Sequence, residues 1–191
     1  MGAGSNDPVR GFWRSDHEPW PLFPDAVTTR PGVRAQDVVE GLVDRPACSV
    51  KDSFADLDLA PHGFRVLLSA EWIGRPTVTA SSGWSRVDDE AGLARWCAAA
   101  ELSDELPVRL LRDPAVHVLA GPACGAIATV TGSVVGVSNV FGTGVWDRLP
   151  AVVAACAPGC AVVGYEHGHD LETAVDAGFT TLGPVRIWLR P

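Results

Sequence analysis

Residues 133–144 read SVVGVSNVFGTG, and the fold turns on this stretch. Valines at 134, 135, 137 and 140 with Phe141 give strand character, and Gly142 and Gly144 then break it. Upstream lie two runs of the same kind, AVHVLAG (115–121) and CGAIATVTG (124–132), separated by turns at Gly121-Pro122 and Thr131-Gly132-Ser133. Linkers this short join antiparallel neighbours, so residues 115–141 are expected to form a three-stranded meander. Downstream, Leu149, Val152, Val153 and Cys156 fall at i, i+3, i+4 and i+7. That spacing predicts a helix that stops before Pro158-Gly159 and carries Pro150 in its first turn.

Further out the pattern alternates. CAVVGYE (160–166) is apolar enough for a strand buried on both faces. A short helix is expected over Asp170 to Ala177, with Asp170 as its cap, Leu171, Ala174 and Val175 inward and Gly178 as a left-handed stop. VRIWLR (185–190) is the closing strand. On the amino-terminal side, Trp84 to Val87 reads as a strand, followed by a helix near Asp89 to Ala100 in which Leu93, Trp96, Cys97 and Ala100 recur at helical spacing. Asp88 or Asp89 would cap that helix.

Residues 1–82 read as an annex. Phe12, Trp13, Trp20 and Phe23 sit in a Pro- and Gly-containing arm (1–24) without helix or strand periodicity. A short strand AVTTR (26–30), a helix AQDVVEGLVD (35–44) and a strand FRVLLSAEWI (64–73) follow, and PTVTASSG (76–83) connects to the rest. Asp52, Asp56 and Asp58 lie in a stretch read as a solvated turn, because the glycine and terminal Glu of a calcium loop are missing.

Composition narrows the function classes. The 191 residues are 47% hydrophobic and 20% charged, which excludes disorder for the whole chain. A net charge of −8 is the wrong sign for gripping a phosphate backbone, so no nucleic acid partner is expected. Without a run of about 18 apolar residues, no membrane span is expected either. Five cysteines without a CxxC, and no charged-then-apolar start, point to the cytoplasm. Lys51 is the only lysine, hence the single candidate for a Schiff base or a lysine phosphate clamp. Trp188 on the last strand and the aromatic arm make a homodimer an expectation.

In the order strand, helix, three-strand meander, helix, strand, helix, strand, residues 83–191 resemble the GNAT superfamily of acyl-coenzyme A dependent N-acyltransferases. The resemblance rests on the meander, on Asn139-Val140-Phe141-Gly142-Thr143-Gly144 entering a helix, and on DLETAVDAGF (170–179) before a strand. In the family the loop reads Arg or Gln, two residues, Gly, one residue, then Gly or Ala. The fold class expected is therefore α/β (α+β), a GNAT-like mixed twisted sheet flanked by helices, with the annex over 1–82 and the acyl-CoA-binding domain over 83–191. Glycines that let the backbone approach closely, followed by the amides and positive dipole end of a helix, suit a pyrophosphate. The resemblance implies that acetyl-CoA, or another acyl-CoA, lies between this strand and its parallel neighbour. Val135, Val137, Ser138, Asn139, Val140, Phe141, Gly142, Thr143 and Gly144 are the residues it assigns to that co-substrate.

N-acylation needs an unprotonated amine and a proton for the leaving thiolate, while much of the rate comes from placing the reactants together. The family's acid is often a Tyr four residues before the Gly-Phe pair, a position held here by Ala174. Glu166, at a strand end, is the first candidate for base or water relay; Tyr165, the only tyrosine, is a substitute acid. Glu71, a carboxylate within an apolar strand, is the third. His117 reads as surface or core. His167, His169 and Asp170 lack the partners of a zinc set, so no metal is expected. Cys156 and Cys160 flank a helix end, a poor place to activate a thiol. The function expected is acyl-CoA dependent N-acylation of a small-molecule amine or amino-acid-like acceptor. The alternative is a catalytically inactive GNAT-like binding or interaction protein, motivated by Asn139 and Ala174.

Overall fold

The computed structural model describes residues 4–7, 9–19, 23–78, 83–102 and 106–191. Trp20 and residues 79–82 of the 76–83 connector fall outside them. In chain order the elements are β1 (Gly4–Asp7), β2 (Phe12–Ser15), β3 (Ala26–Thr28), α1 (Ala35–Gly41), β4 (Cys48–Asp52), β5 (Arg65–Pro76) and β6 (Ser85–Arg86). They continue with α2 (Glu90–Ala99), β7 (Val116–Gly121), β8 (Cys124–Thr131), β9 (Val134–Phe141), α3 (Val145–Cys156), β10 (Ala161–Glu166), α4 (Gly168–Asp176) and β11 (Thr180–Arg190). Two compact units result: Met1–Glu71 with Gly183–Pro191, and Trp72–Leu182. Strands β5 and β11 each contribute one end to each unit, so the units interleave along the chain.

In the first unit the strand order is β1-β2-β3-β4-β11-β5. Its core gathers Phe12, Ala26, Val38, Leu42, Val50, Leu57, Leu59, Phe64 and Trp188. Three expectations need correction here. The aromatic arm is not irregular: β1 and β2 pair antiparallel, and β2 pairs with β3, which places Phe12 at 4% exposure in the core. The Asp-rich stretch is a turn with Asp56 and Asp58 exposed, as expected, but Asp52 is not solvated: it is fully buried and accepts hydrogen bonds from the amides of Leu57 (3.0 Å) and Phe54 (3.4 Å). Its carboxylate organises the chain reversal after β4, a duty a buried charge can hold only when hydrogen-bonded. Trp188, read as dimer surface, is 4% exposed inside this core.

The second unit holds the strand order β5-β10-β9-β8-β7-β6. The meander β7-β8-β9 forms as expected, antiparallel throughout, and β10 joins β9 in parallel. Asp89 caps α2, accepting from the Gly92 amide at 2.6 Å. Helix α3 packs Val145, Trp146, Leu149, Val152 and Val153 against Leu119, Ala126, Ala128, Val135, Val137 and Val162. It starts earlier than expected, so Pro150 is its sixth residue and lies beyond the first turn. The missing N–H there deprives the Trp146 carbonyl of its partner in the ladder. Asp170 is not the cap of α4: His167 holds that position, without a side-chain hydrogen bond. The helix ends in a Schellman motif, with Gly178 at φ +87°, its amide on the Val175 carbonyl (2.8 Å) and the Phe179 amide on that of Ala174 (3.0 Å). Phe179 then meets Trp146 edge to face at 5.2 Å, tying α4 to α3.

Candidate active site

The parallel ladder pairs Ala161 with Val134, Val162 with Val135 and Val163 with Gly136, and stops there. Three residues of β10 and five of β9 run on past the last pair. At the next level the strands still touch, because a Cβ on Gly164 would lie 3.0 Å from Val137 Cγ2. Beyond it β9 bulges: the register against β8 slips between Gly125 and Ile127, and Asn139 takes φ +50°. A bulge inserts an unpaired residue and bends its strand, and Asn is among the few side chains that tolerate the left-handed region. The sequence folds this way locally because Asn139 can occupy that kink, with its Nδ2 donating to Ser138 Oγ at 3.3 Å.

At the end of β9 the two glycines play different parts. Gly142, at φ +94°, has no room for a side chain: a Cβ would fall 2.3 Å from the Ala123 carbonyl oxygen. It locks the loop onto the β7–β8 turn. Gly144 is the cap residue of α3 at φ +66°, without a side-chain cap, and a Cβ there would meet nothing within 4 Å. The start of α3 thus has no side-chain cap and a cap residue whose Cβ position is open, and uncapped helix-start amides are the groups that can hold an anion. Asp147 in the first turn places a negative charge close by, a feature sequence reading passed over.

Of the residues expected to hold the co-substrate, Val135 lies inside the paired stretch, whereas Val137 to Gly144 lie past its end. Val137 and Val140 turn into the core around α3. Phe141 packs edge to face on Trp96 at 5.2 Å, and Trp96 Nε1 donates to the Leu119 carbonyl at 3.0 Å, so this ring anchors the loop. Ser138 and Thr143 are exposed. A cavity of about 280 Å³ lies beside Phe141 and Trp96 at the start of α2 and contains neither Tyr165 nor Glu166.

Tyr165 and Glu166 end β10 where the ladder has already ceased. Successive strand residues point to opposite faces. Glu166 thus shares a side with Val162, which is fully buried in the α3–α4 core, and Tyr165 takes the other, edge to face with Trp72 at 5.3 Å. Burial raises the pKa of Glu166 to about 7, helped by the negative charge of Asp170. Burial also raises that of Tyr165, with Glu166 adding to it. A carboxyl poised near neutrality can take or give a proton at working pH. Trp72 was not singled out from the sequence; only its place one residue after Glu71 could have drawn notice.

The remaining candidates stand elsewhere. Glu71 is half-buried on β5 and belongs to the first unit, whereas Glu166 and Tyr165 belong to the second. His117 is half-buried on β7, its pKa lowered by burial and by Arg86. His169 meets Glu172 at 3.5 Å on the exposed side of α4, and among the described residues no three ligating side chains gather for a metal. The buried Ala174, at the position of the family's tyrosine, fills the core under α4. Among the described residues no helix is long and apolar enough to cross a membrane.

No protein-family model matches the chain, and no curated protein matches it in sequence. Solved structures do match. A GCN5-related N-acetyltransferase from Kribbella flavida superposes with a TM-score of 0.64 at 14% identity, over 95% of this chain and 87% of that one. A structure described as an acetyltransferase of the GNAT family from Novosphingobium aromaticivorans gives 0.60 at 16% identity, over 94% and 87%. A protein of unknown function from Staphylococcus epidermidis gives 0.65 at 10% identity, over 99% and 94%. With its α+β architecture, its mixed open sheet and these neighbours, the chain has a divergent form of the GNAT-superfamily fold.

Proposed function

We propose that the chain is an acyl-CoA dependent N-acyltransferase, with acetyl-CoA as donor and a small amine or amino-acid-like molecule as acceptor. The observation that carries this reading is the end of the β9–β10 ladder at Gly136 and Val163, directly before Tyr165 and Glu166. The donor's pantetheine would take up strand hydrogen bonds left open along Val137 to Asn139. Its diphosphate would lie on the amides behind Gly144.

Glu166 would draw the proton from the acceptor amine, directly or through water, as nitrogen attacks the thioester carbonyl. The amide C–N bond forms, the C–S bond breaks, and the leaving thiolate takes a proton from Glu166 or Tyr165. Positioning supplies much of the rate, so one titrating group near neutrality suffices.

The test is twofold: melting with and without coenzyme A, and release of free thiol from acetyl-CoA with a panel of amines. A rise in melting temperature at millimolar ligand together with amine-dependent thiol release is expected. No rise would reject the co-substrate. A rise without turnover would favour the inactive binding protein, a reading supported by Ala174 in the family's tyrosine position.

A further inference from the structure

A cavity of about 670 Å³ opens on the first unit, lined only by residues between Val9 and Glu40. That volume is within the range of small-molecule sites. Three guanidinium groups reach it from three places in the chain: Arg10 in the β1–β2 turn, Arg30 just after β3, and Arg34 at the cap position of α1. Helix α1 adds the carboxylates of Asp37 and Glu40.

These charges are not equally available. Arg34 is spent on Asp37, whose two carboxylate oxygens accept from its Nε at 3.0 Å and its Nη2 at 2.8 Å. Arg10 is shared: its Nε lies 3.5 Å from Asp7 Oδ2, while Asp7 Oδ1 accepts from the amides of Val9 (3.0 Å) and Arg10 (2.9 Å) and so shapes the turn. Arg30 is pinned across that turn. Its Nη2 donates to the Val9 carbonyl at 2.7 Å, and its stem fills the space that a Cβ on Gly11, at φ +78°, would need. Most of its N–H donors keep no partner among the described residues. Glu40 accepts from Gln36 Nε2 at 3.1 Å through Oε1, and Oε2 has no partner among the described residues. The lining therefore offers one immobilised guanidinium, a second that is half engaged, and one carboxylate oxygen, with Val9 and Val33 as its apolar part.

A guanidinium already fixed by its surroundings loses little freedom on gripping a planar carboxylate, and it does so with two parallel bonds. A plain anion would leave Glu40 unanswered. A plain amine would leave Arg30 so. We propose that this cavity binds a zwitterion, an amino acid or a short peptide, whose carboxylate lies on Arg30 and Arg10 and whose ammonium group meets Glu40. The site lies wholly within the first unit, so it stands or falls apart from the β9–β10 reading.

Titration calorimetry of the full chain at low ionic strength tests it. The probes are leucine and leucyl-leucine, with leucyl-leucine amide, N-acetyl-leucyl-leucine and inorganic phosphate beside them. At least one zwitterion should bind with a Kd of about 1 mM or tighter, and the tighter of the two tells a free amino acid from a peptide. Blocking either end should weaken binding about tenfold, because each end makes a charge-assisted hydrogen bond. Glu40→Gln should bring the zwitterion down to the level of its N-acetyl form and leave that form unchanged. Arg30→Gln should do the same for the carboxylate end. Since Arg30 also braces the turn, Glu40→Gln on the exposed side of α1 keeps the test decisive if the arginine variant unfolds. Absence of binding by both zwitterions at millimolar concentration would overturn the proposal. Phosphate or the N-acetyl form binding as tightly as the zwitterion would also overturn it, leaving a simple anion site, as would zwitterion affinity that survives Glu40→Gln intact.

Discussion

A carboxyl with a pKa near 7 leaves two marks, one on rate and one on stability. Glu166→Gln removes the titrating proton but keeps size and polarity, so thiol release should fall about 100-fold or more while the coenzyme A melting shift persists. The limb of the pH–rate profile near 7 should vanish with it. For stability, the folded state binds the Glu166 proton more tightly than the unfolded state, so wild-type stability declines as pH rises from about 4.5 through about 7. Glu166→Gln should match the wild type at pH 4 and exceed it by about 1–2 kcal/mol at pH 8, after allowing for partial exposure. Equal pH–stability curves would show that the carboxyl is solvated. Asp147 calls for the opposite kind of change. It stands exposed in the first turn of α3, where a diphosphate would feel its charge. Asp147→Asn should tighten coenzyme A binding about 3- to 10-fold at low ionic strength, an effect that titration calorimetry would see shrink in high salt.

At the scale of elements, the proposed co-substrate slot depends on where β9 and β10 stop pairing, and Gly164 is the first β10 residue past the last pair. A valine there would press on Val137, whose Cγ2 is already 3.0 Å from the missing Cβ position. Overpacking of this kind costs about 1–3 kcal/mol, so binding is best measured well below the melting temperature. Gly164→Val should lose coenzyme A binding while its near-ultraviolet circular dichroism stays native; retained affinity would place the ligand elsewhere. Much of this arrangement was legible in the sequence. The meander could be read because its turns are two or three residues long, and α2 because Asp89 and the Leu93-Trp96-Cys97 stripe agree. The parallel strand was legible as CAVVGYE, but its early loss of register was not. Nor was the bulge at Asn139 that follows, which no period in the sequence announces. The pKa of Glu166 was equally hidden, because it comes from burial and from Asp170 in the first turn of α4.

At the scale of the molecule, the elements that eluded sequence reading are those whose partners are distant in the chain. Strand β4 reads CSVKD, with two charges in five residues, and it is a strand because Arg186 to Arg190 pair with it from the far end of the sequence. The β1–β2 hairpin likewise gains its place through β3. The closing strand therefore does more for the first unit than its length implies. Trp188 fills the core beside Val50, Leu57 and Leu59, Arg190 donates to the carbonyls of Leu42 (2.9 Å), Arg45 (2.6 Å) and Pro46 (3.1 Å), and its guanidinium lies 4.7 Å from the Phe64 ring. Ending the chain at Leu182 would remove one buried tryptophan, worth about 3–5 kcal/mol, together with the five-residue pairing to β4. That exceeds what a marginally stable unit can spare. Amide hydrogen exchange at Cys48 to Asp52 and Phe12 to Ser15 should lose protection in the shortened chain. The meander amides of β8, whose partners β7 and β9 lie in the second unit, are the internal reference. Unchanged protection at β4 would mean that the first unit stands without its last strand.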